Sequence, residues 1–287
     1  MSEQQQPSTS RLATPVSDRI DTTRPHSARV YDWFLGGKDN YPVDEELGNQ
    51  IAALSPDTKR IARHNRWFMH RVMRWLAGEA GIRQFLDIGS GIPTEPNLHQ
   101  IVQGVVPDAR VVYVDNDPIV LAHAEALLRG TPEGATAYVD ADVREPEKIL
   151  ELAADVIDFG RPVALSLIAL LHFVGDGDGG GEGENEGAYE LVERLVARLP
   201  AGSCLVLSQL TSDFDPENVE KGVASYAAGG VTLVPRSLRR FSRFFDGLEV
   251  VEPDVVQVAD WHPELNLGEL PVQTQPVPIY GGVARKL

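Results

Sequence analysis

The sequence predicts a doubly wound α/β fold, in which helices cover both faces of a mostly parallel sheet. Apolar runs of strand length recur after residue 83, and stretches of helical character separate them. Strands that are apolar throughout belong to parallel sheets buried on both faces. The expected strands, in chain order, span residues 85–88, 111–114, 137–139, 163–168 and 205–207.

The carboxy-terminal part departs from this alternation. The runs 248–258 and 277–284 have strand character, but no good helix lies between them. A parallel pair needs a long crossover, whereas antiparallel strands do not. We therefore expect an antiparallel carboxy-terminal strand pair at one edge of the sheet.

The amino-terminal part is predicted to form a helical cap. Apolar residues between 28 and 80 recur at spacings of three and four, which is the period of an amphipathic helix. Residues 1–22 are rich in Ser, Thr, Gln and Pro and have no such face, so we expect a disordered tail there. The expected organisation is this tail, a cap or lid at 23–80 and a ligand-binding domain at 81–287.

Residues 175–187 interrupt the ligand-binding domain with a low-complexity segment rich in Gly, Asp and Glu. This composition is too acidic and too rich in glycine to fold alone, which predicts a flexible surface loop. Its oxygen atoms suit calcium, but no twelve-residue EF-hand pattern can be laid over it. We therefore expect no metal site.

Composition limits the classes of function. The chain has 287 residues and a net charge of −16, so it would repel the phosphate backbone of nucleic acids. No apolar stretch reaches the roughly 20 residues of a membrane span, and the amino terminus has no apolar signal segment. We expect a cytoplasmic protein that binds neither nucleic acid nor a membrane, and oligomeric state is unknown at this stage. The single cysteine, Cys204, lies in an apolar run and is expected to be a buried core residue.

The first strand ends in a glycine turn that predicts a ligand site. Asp87 lies on the strand, and Gly89, Ser90 and Gly91 form the turn before an expected helix. Glycine lets a ligand approach the backbone, and the first turn of a helix presents free amides. A dinucleotide fingerprint would need glycine at Thr94, which argues against the alternative of an NAD-dependent oxidoreductase on a related fold.

Acidic residues also follow the next two strands. Asp115 ends the second strand, where a carboxylate can accept hydrogen bonds from both hydroxyls of a ribose, and Asn116 follows it. Asp142 and Val143 follow the third strand, where an acid and a backbone amide can bind an adenine ring. Each acid alone could equally cap a turn or a helix. Three of them in order, each at a strand end, argue against coincidence.

These segments resemble the class I methyltransferases, whose fold is Rossmann-like. Asp87 with its glycine turn resembles motif I, Asp115 with the following Asn-Asp-Pro resembles motif II, and Asp142 resembles motif III. The resemblance implies S-adenosylmethionine as the cofactor, with its methionine end near Asp87, its ribose on Asp115 and its adenine beside Asp142. The family's usual third glycine falls on Pro93, so this loop is a variant.

The fourth strand carries two further candidates. Ile168 ends the strand and is expected to line the cofactor site, and His172 follows in an apolar context similar to that of many small-molecule methyltransferases. His172 is the candidate catalytic residue, as a general base facing the transferred methyl group. The alternative is a histidine that caps the strand or packs under the cofactor.

Two further segments indicate a particular family within the class I methyltransferases. Residues 27–41 and 277–286 are similar to the little-characterised S-adenosyl methyltransferase family of bacteria, and the similarity runs from about residue 25 to 286. It implies methyl transfer to an unidentified acceptor, expected to be a small molecule. A non-catalytic regulatory protein that binds S-adenosylmethionine is the alternative, because methyl transfer needs few obligatory side chains.

Within residues 27–41, a polar turn is a candidate lid. Tyr31, Lys38 and Asn40 are the candidate lid or substrate-binding residues, because glycines at 36 and 37 allow movement and the polar groups can reach a ligand. The alternative is a tight surface turn anchored by buried aromatic residues.

A basic helix is expected after this turn. Arginines at 60, 63, 66, 71 and 74 accompany His64 and His70 in an otherwise acidic protein. The pattern is typical of a solvated face with internal salt bridges, and binding of an acidic substrate is the alternative.

Overall fold

A computed structural model describes residues 20–120, 122, 130–177, 187–268 and 275–287. The predicted tail at 1–22 lies outside the described residues except for its last three positions. Residues 178–186 of the predicted acidic loop lie outside them too, as do residues 121, 123–129 and 269–274. None of the helices within the described ranges is long and apolar enough to cross a membrane.

The cap consists of three helices: α1 (Ser27–Leu35), α2 (Pro42–Leu54) and α3 (Thr58–Gly78). Both α1 and α2 enclose a small core of their own, in which Val30, Phe34, Leu47 and Ile51 pack around Tyr226. In contrast, α3 packs directly on the sheet, because its apolar stripe belongs to the same core as the strands.

The sheet confirms the predicted α/β architecture. Its strands are β1 (Gln84–Ile88), β2 (Arg110–Asp115), β3 (Ala135–Asp140), β4 (Ala164–Ile168), β5 (Cys204–Leu210), β6 (Glu249–Val250), β7 (Val256–Gln257) and β8 (Ile279–Arg285). Their order is β3-β2-β1-β4-β5-β8-β6, and β7 also pairs with β8. Strands β1 to β5 run parallel, whereas β8 is antiparallel to β5, β6 and β7.

The predicted antiparallel pairing at the carboxy-terminal edge is thus present, but the run at 248–258 forms two strands instead of one. The chain turns between β6 and β7, where Asp254 has a φ of 75°. Pro253 precedes it and has no amide hydrogen to donate to a neighbouring strand, so pairing stops there.

Helices cover both faces of the sheet: α4 (Leu98–Val105), α5 (Pro146–Ala153), α6 (Ala188–Ala197), α7 (Pro216–Ala228) and α8 (Leu238–Ser242). Successive residues of a strand point to opposite faces. Phe85 accordingly packs with α3 and α4, whereas Leu86 packs with α5 and α6. Cys204 is buried in the same core as Phe85, as expected. Short 3₁₀ turns lie at Leu171–Phe173, Arg243–Phe245 and Pro263–Leu265.

Candidate functional site

A cavity opens at the carboxyl ends of β1, β2 and β4, with part of its wall supplied by α1 and α3. The strand order changes direction at β1, and in open α/β sheets ligands bind at such a switch point. The structure brings all nine predicted cofactor residues together here: Asp87, Gly89, Ser90, Gly91, Asp115, Asn116, Asp142, Val143 and Ile168 line this one cavity.

The glycine turn after β1 needs its glycines for two reasons. Gly89 and Gly91 have φ values of 71° and 65°, a region that side chains rarely adopt. A Cβ on Gly89 would also lie 2.6 Å from Cδ1 of Leu170. The amides of Gly89 and Ser90 donate to the carbonyl of Val114 at 2.8 and 3.2 Å, which fixes the turn against β2.

Asp115 ties the turn to the end of β2. Its Oδ2 accepts from the amide of Gly91 at 2.8 Å, and its Oδ1 accepts from the amide of Asp117 at 3.0 Å. Burial raises the pKa of Asp115, although these two amide donors oppose the shift. Because each carboxylate oxygen can accept more than one hydrogen bond, both retain capacity for a ligand.

Asp87 and Arg66 bring a carboxyl group and a guanidinium to the same cavity, near enough for the charge of Arg66 to act on Asp87. The hydroxyl of Ser166 donates to Oδ1 of Asp87 at 2.6 Å. Burial raises the pKa of Asp87 to about 6, while this hydrogen bond and the charge of Arg66 act against the rise. Arg66 donates from Nη2 to the carbonyls of Thr94 and Pro96, and its buried Nε has no partner among the described residues.

The third predicted acid lies in a more open part of the cavity. Asn116 donates from Nδ2 to Oδ2 of Asp142 at 2.8 Å, and the amide of Arg144 donates to Oδ1 at 2.9 Å. These contacts hold the end of β2 and the loop after β3 together. They place a carboxylate and a side-chain amide on the same rim.

Comparison with known proteins agrees with this arrangement. The model of the S-adenosyl methyltransferase family matches residues 13–287. The chain belongs to this family. Its cofactor is therefore S-adenosylmethionine, and the protein is an S-adenosylmethionine-dependent methyltransferase. No curated protein matches the chain.

Two solved structures are similar over nearly the whole methyltransferase. A DUF574 family protein from Streptomyces avermitilis is 47% identical, with 94% of this chain and 100% of that chain covered and a TM-score of 0.86. A proposed methyltransferase from Thermobifida fusca is 38% identical, with 93% and 96% covered and a TM-score of 0.81.

A second cavity adjoins the cofactor cavity of the methyltransferase. It has a volume of about 390 Å³ and lies between the cap, the 3₁₀ turn after β4 and α7. Ser27, Tyr31, Ala169 and Phe173 line both cavities, so the two meet at these residues. Ala169 has a φ of 55°, and its amide donates to Oγ of Ser208 at 2.9 Å. Backbone held in this way often lies at functional sites.

Tyr31 is the member of the predicted lid that reaches the cavities. Its hydroxyl donates to the carbonyl of Ala62 at 3.1 Å and accepts from Nδ2 of Asn65 at 3.0 Å. Asn65 in turn accepts from the hydroxyl of Ser208 at 2.7 Å. This chain of hydrogen bonds connects Tyr31 of α1 through α3 to β5.

Lys38 and Asn40 are not brought to either cavity. The turn that carries them wraps around the carboxylate of Asp32, whose Oδ2 accepts from Nδ2 of Asn40 at 2.8 Å and from the amide of Asp39 at 3.0 Å. A Cβ on Gly37 would collide with the same carboxylate. Lys38 is exposed. The geometry favours the alternative of a tight structural turn.

His172 lines the second cavity and not the cofactor cavity. The amide of Leu210 approaches its Nδ1 at 3.4 Å, which places the proton of the neutral ring on Nε2. Burial, with a smaller contribution from the charge of Arg236, lowers the pKa of His172 to about 3. A ring with so low a pKa is a weak base, so the geometry favours the packing role over the catalytic one.

Apart from Tyr31, sequence reasoning did not assign the cap residues that line the cofactor cavity, among them His26, Asn65, Arg66 and Met69. The expectation of a solvated basic face is wrong for three members of α3. Arg71 is fully buried and donates from Nε to the carbonyl of Trp261 at 2.8 Å, His64 is buried, and Arg66 reaches the cavity. The available signal was the apolar stripe of α3, which places residues 65 and 69 on its inner face.

Proposed function

We propose that the methyltransferase holds S-adenosylmethionine across the carboxyl ends of β1, β2 and β4 and methylates a small molecule in the adjoining cavity. The observation that supports this proposal is the convergence of the nine predicted residues on one cavity that opens into a second. A volume of about 390 Å³ falls in the range of small-molecule sites, and the three-helix cap covers it. A cytoplasmic location stays a prediction.

The methionine end fits the pair formed by Asp87 and Arg66. A methionine carries an ammonium and a carboxylate, and the pair offers the opposite charges on one side of the cavity. The Nε of Arg66 is buried and has no partner in the described part of the chain, so it is a donor that a carboxylate would satisfy. A Cβ on Gly91 would have no heavy atom within 4 Å, so a ligand can approach the backbone of the turn there.

The nucleoside end fits the other rim. Asp115 is assigned to the ribose hydroxyls, since its oxygens keep acceptor capacity beyond their two amide donors. Asp142 and the amide of Val143 are assigned to the adenine ring, with Asn116 holding Asp142 in place. Ile168 supplies apolar wall.

The bound cofactor supplies an electrophilic methyl group on a sulfonium. The residues of this chain then contribute position and shielding from water, which can supply most of the rate enhancement when the reactive group is already activated. Tyr31, Ala169 and Phe173 line the opening between the cavities together with Ser27 and give it mostly apolar walls. In this proposal residues 23–80 act as a cap and residues 81–287 carry the cofactor.

Calorimetric titration with S-adenosylhomocysteine tests the cofactor assignment. The parent should bind this product and should not bind NAD. Arg66→Met should weaken binding at least about tenfold, because it removes the partner of the ligand carboxylate. Arg63→Met is the matched control, since Arg63 lies on the same helix but is exposed and lines neither cavity. Equal losses in the two variants would refute the role of Arg66.

Tritium transfer from labelled S-adenosylmethionine tests the acceptor class. Cell extract is separated by size into a small-molecule fraction and a protein fraction, and each is incubated with the enzyme. The label should appear in the small-molecule fraction. Label only on protein would refute the small-molecule acceptor, and no transfer to either fraction would favour a non-catalytic binding protein.

A further inference from the structure

The second cavity is mostly apolar and aromatic. Its walls include Phe34, Ile51, Ile61, Phe173, Val219 and Tyr226. Aromatic walls favour flat rings, because stacked and edge-to-face contacts add to the gain from burying apolar area. A ring system in this cavity would reach the cofactor cavity past Tyr31 and Phe173, which line both.

Most of the polar side chains facing this cavity already have partners. Oδ2 of Asp57 accepts from Nη2 of Arg60 at 3.1 Å, and Oδ2 of Asp215 accepts from Nδ2 of Asn218 at 3.0 Å. Nη1 of Arg60, in contrast, is buried and has no hydrogen-bond partner among the described residues. A buried donor without an acceptor costs free energy, and a small rotation of the 22% exposed Arg60 side chain would let a ligand oxygen in the cavity accept from it and remove that cost.

Carboxylates suit this position better than neutral oxygens do. A guanidinium forms its shortest and strongest hydrogen bonds with a charged oxygen acceptor. Arg60 belongs to the basic part of α3, for which the sequence left an acidic substrate as one interpretation.

We propose that the methyl acceptor is a ring-bearing carboxylic acid, whose ring packs against the aromatic walls and whose carboxylate binds Arg60. This inference rests on the proposed function of the adjoining cavity. The accepting atom lies at the opening lined by Ser27, Tyr31, Ala169 and Phe173, away from the carboxylate.

The opening also restricts the accepting atom. Among these four residues Tyr31 alone titrates, its hydroxyl is hydrogen-bonded to Ala62 and Asn65, and burial raises its pKa. An accepting atom must therefore bring its lone pair without losing a proton to the enzyme. That lone pair bonds to the methyl carbon as the carbon–sulfur bond breaks and its electron pair stays on sulfur. Any proton on a product nitrogen leaves to water.

Two probes of the same shape test the acid group. 2-Naphthoate and 2-naphthamide share a bicyclic ring, but only the first is charged. Titrated into protein saturated with S-adenosylhomocysteine, naphthoate should bind at least about tenfold more tightly than naphthamide, and Arg60→Gln should abolish the difference. Equal affinities in the parent, or no naphthoate binding at millimolar concentration, would overturn the proposal.

Two glycine variants test the location. Gly222 lies in α7 and lines the second cavity, and a Cβ there would have no heavy atom within 4 Å. Gly222→Leu should fill the cavity and prevent binding of naphthoate. Gly104→Leu is the matched control, because Gly104 is also helical and equally open but lies on α4, outside the cavity. Naphthoate binding that survives Gly222→Leu would overturn the assignment of this cavity.

Binding of S-adenosylhomocysteine distinguishes a failure of the proposed function from a failure of the proposed acceptor class. The parent, Arg60→Gln, Gly222→Leu and Gly104→Leu proteins should all bind it alike, since none of these changes alters a cofactor-cavity residue. Failure of the parent to bind it would refute the proposed function. Normal binding of it with equal affinities for the two naphthalene probes would refute the acceptor class alone.

Discussion

Asp87 is a residue whose environment conflicts with its charge. It is held by one hydroxyl donor, that of Ser166, and burial raises its pKa to about 6. The raised folded-state pKa means that the folded protein binds the proton more strongly than the unfolded chain does. The contribution of Asp87 to stability is therefore greatest below its unfolded pKa of 3.8 and is lost as the pH rises through about 6. A positively charged ligand group beside Asp87 would offset this cost.

Binding of S-adenosylhomocysteine should depend on pH through Asp87. Since the ligand ammonium favours ionised Asp87, affinity for S-adenosylhomocysteine should be about tenfold weaker at pH 5 than at pH 7. Calorimetry at pH 5, 6 and 7, in buffers of differing ionisation enthalpy, measures both the affinity and the released proton. Asp87→Asn should flatten this profile and raise the melting temperature of the unliganded protein at pH 7. A parent profile without pH dependence would show that Asp87 does not face the ammonium.

At the scale of elements, the cap is held to the sheet by long-range polar contacts. Nε of Arg29 on α1 donates to Oδ2 of Asp117 at 2.9 Å, and both side chains are buried. Asp117 also donates its amide to Asp115, so the ion pair connects α1 with the residue assigned to the ribose. Breaking a buried ion pair leaves an uncompensated buried charge. This pair therefore favours the one arrangement of α1 on the sheet in which both charges meet.

The turn after α1 should contribute to stability and not to ligand binding. Asn40→Ala should lower the melting temperature by several degrees, because it removes a hydrogen bond to Asp32, and should leave affinity for S-adenosylhomocysteine unchanged. Lys38→Ala should change neither quantity, since Lys38 is exposed. Thermal melting with and without the ligand measures both. Weaker binding in both variants at an unchanged melting temperature would restore the lid hypothesis.

The sequence predicted the strand-end acids because parallel strands bring their carboxyl ends to one edge of a sheet. Asp87, Asp115 and Asp142 could therefore be placed together without a structure. Contacts between distant segments could not be predicted in this way. Arg29 and Asp117 are 88 residues apart, and the apolar stripe of α3 does not by itself show that Arg66 lines the cavity while Arg63 is exposed. The rotation of α3 on the sheet decides which arginine faces inward, and only the packed core sets that rotation.

At the scale of the whole molecule, α3 joins the cap to the sheet, because this helix and the strands share one core. Phe68, Val72 and Met73 of α3 are fully buried in a cluster with Phe85 of β1 and Val206 of β5. Elements that share a core unfold together in small proteins. The cofactor cavity is lined from both sides, so a ligand in it contacts the cap and the sheet at once.

The last prediction follows from this shared core. The protein should melt in a single transition, and S-adenosylhomocysteine at about 100 times its dissociation constant should raise the midpoint by about 4–5 °C, since a ligand specific for the folded state adds about 2.7 kcal/mol. Scanning calorimetry with and without the ligand measures this shift. Because cap residues such as Tyr31 and Arg66 line the same cavity as Asp87 and Asp115, the whole transition should move. Two transitions, of which the ligand shifts only one, would show that residues 23–80 fold independently of the sheet and do not hold the cofactor.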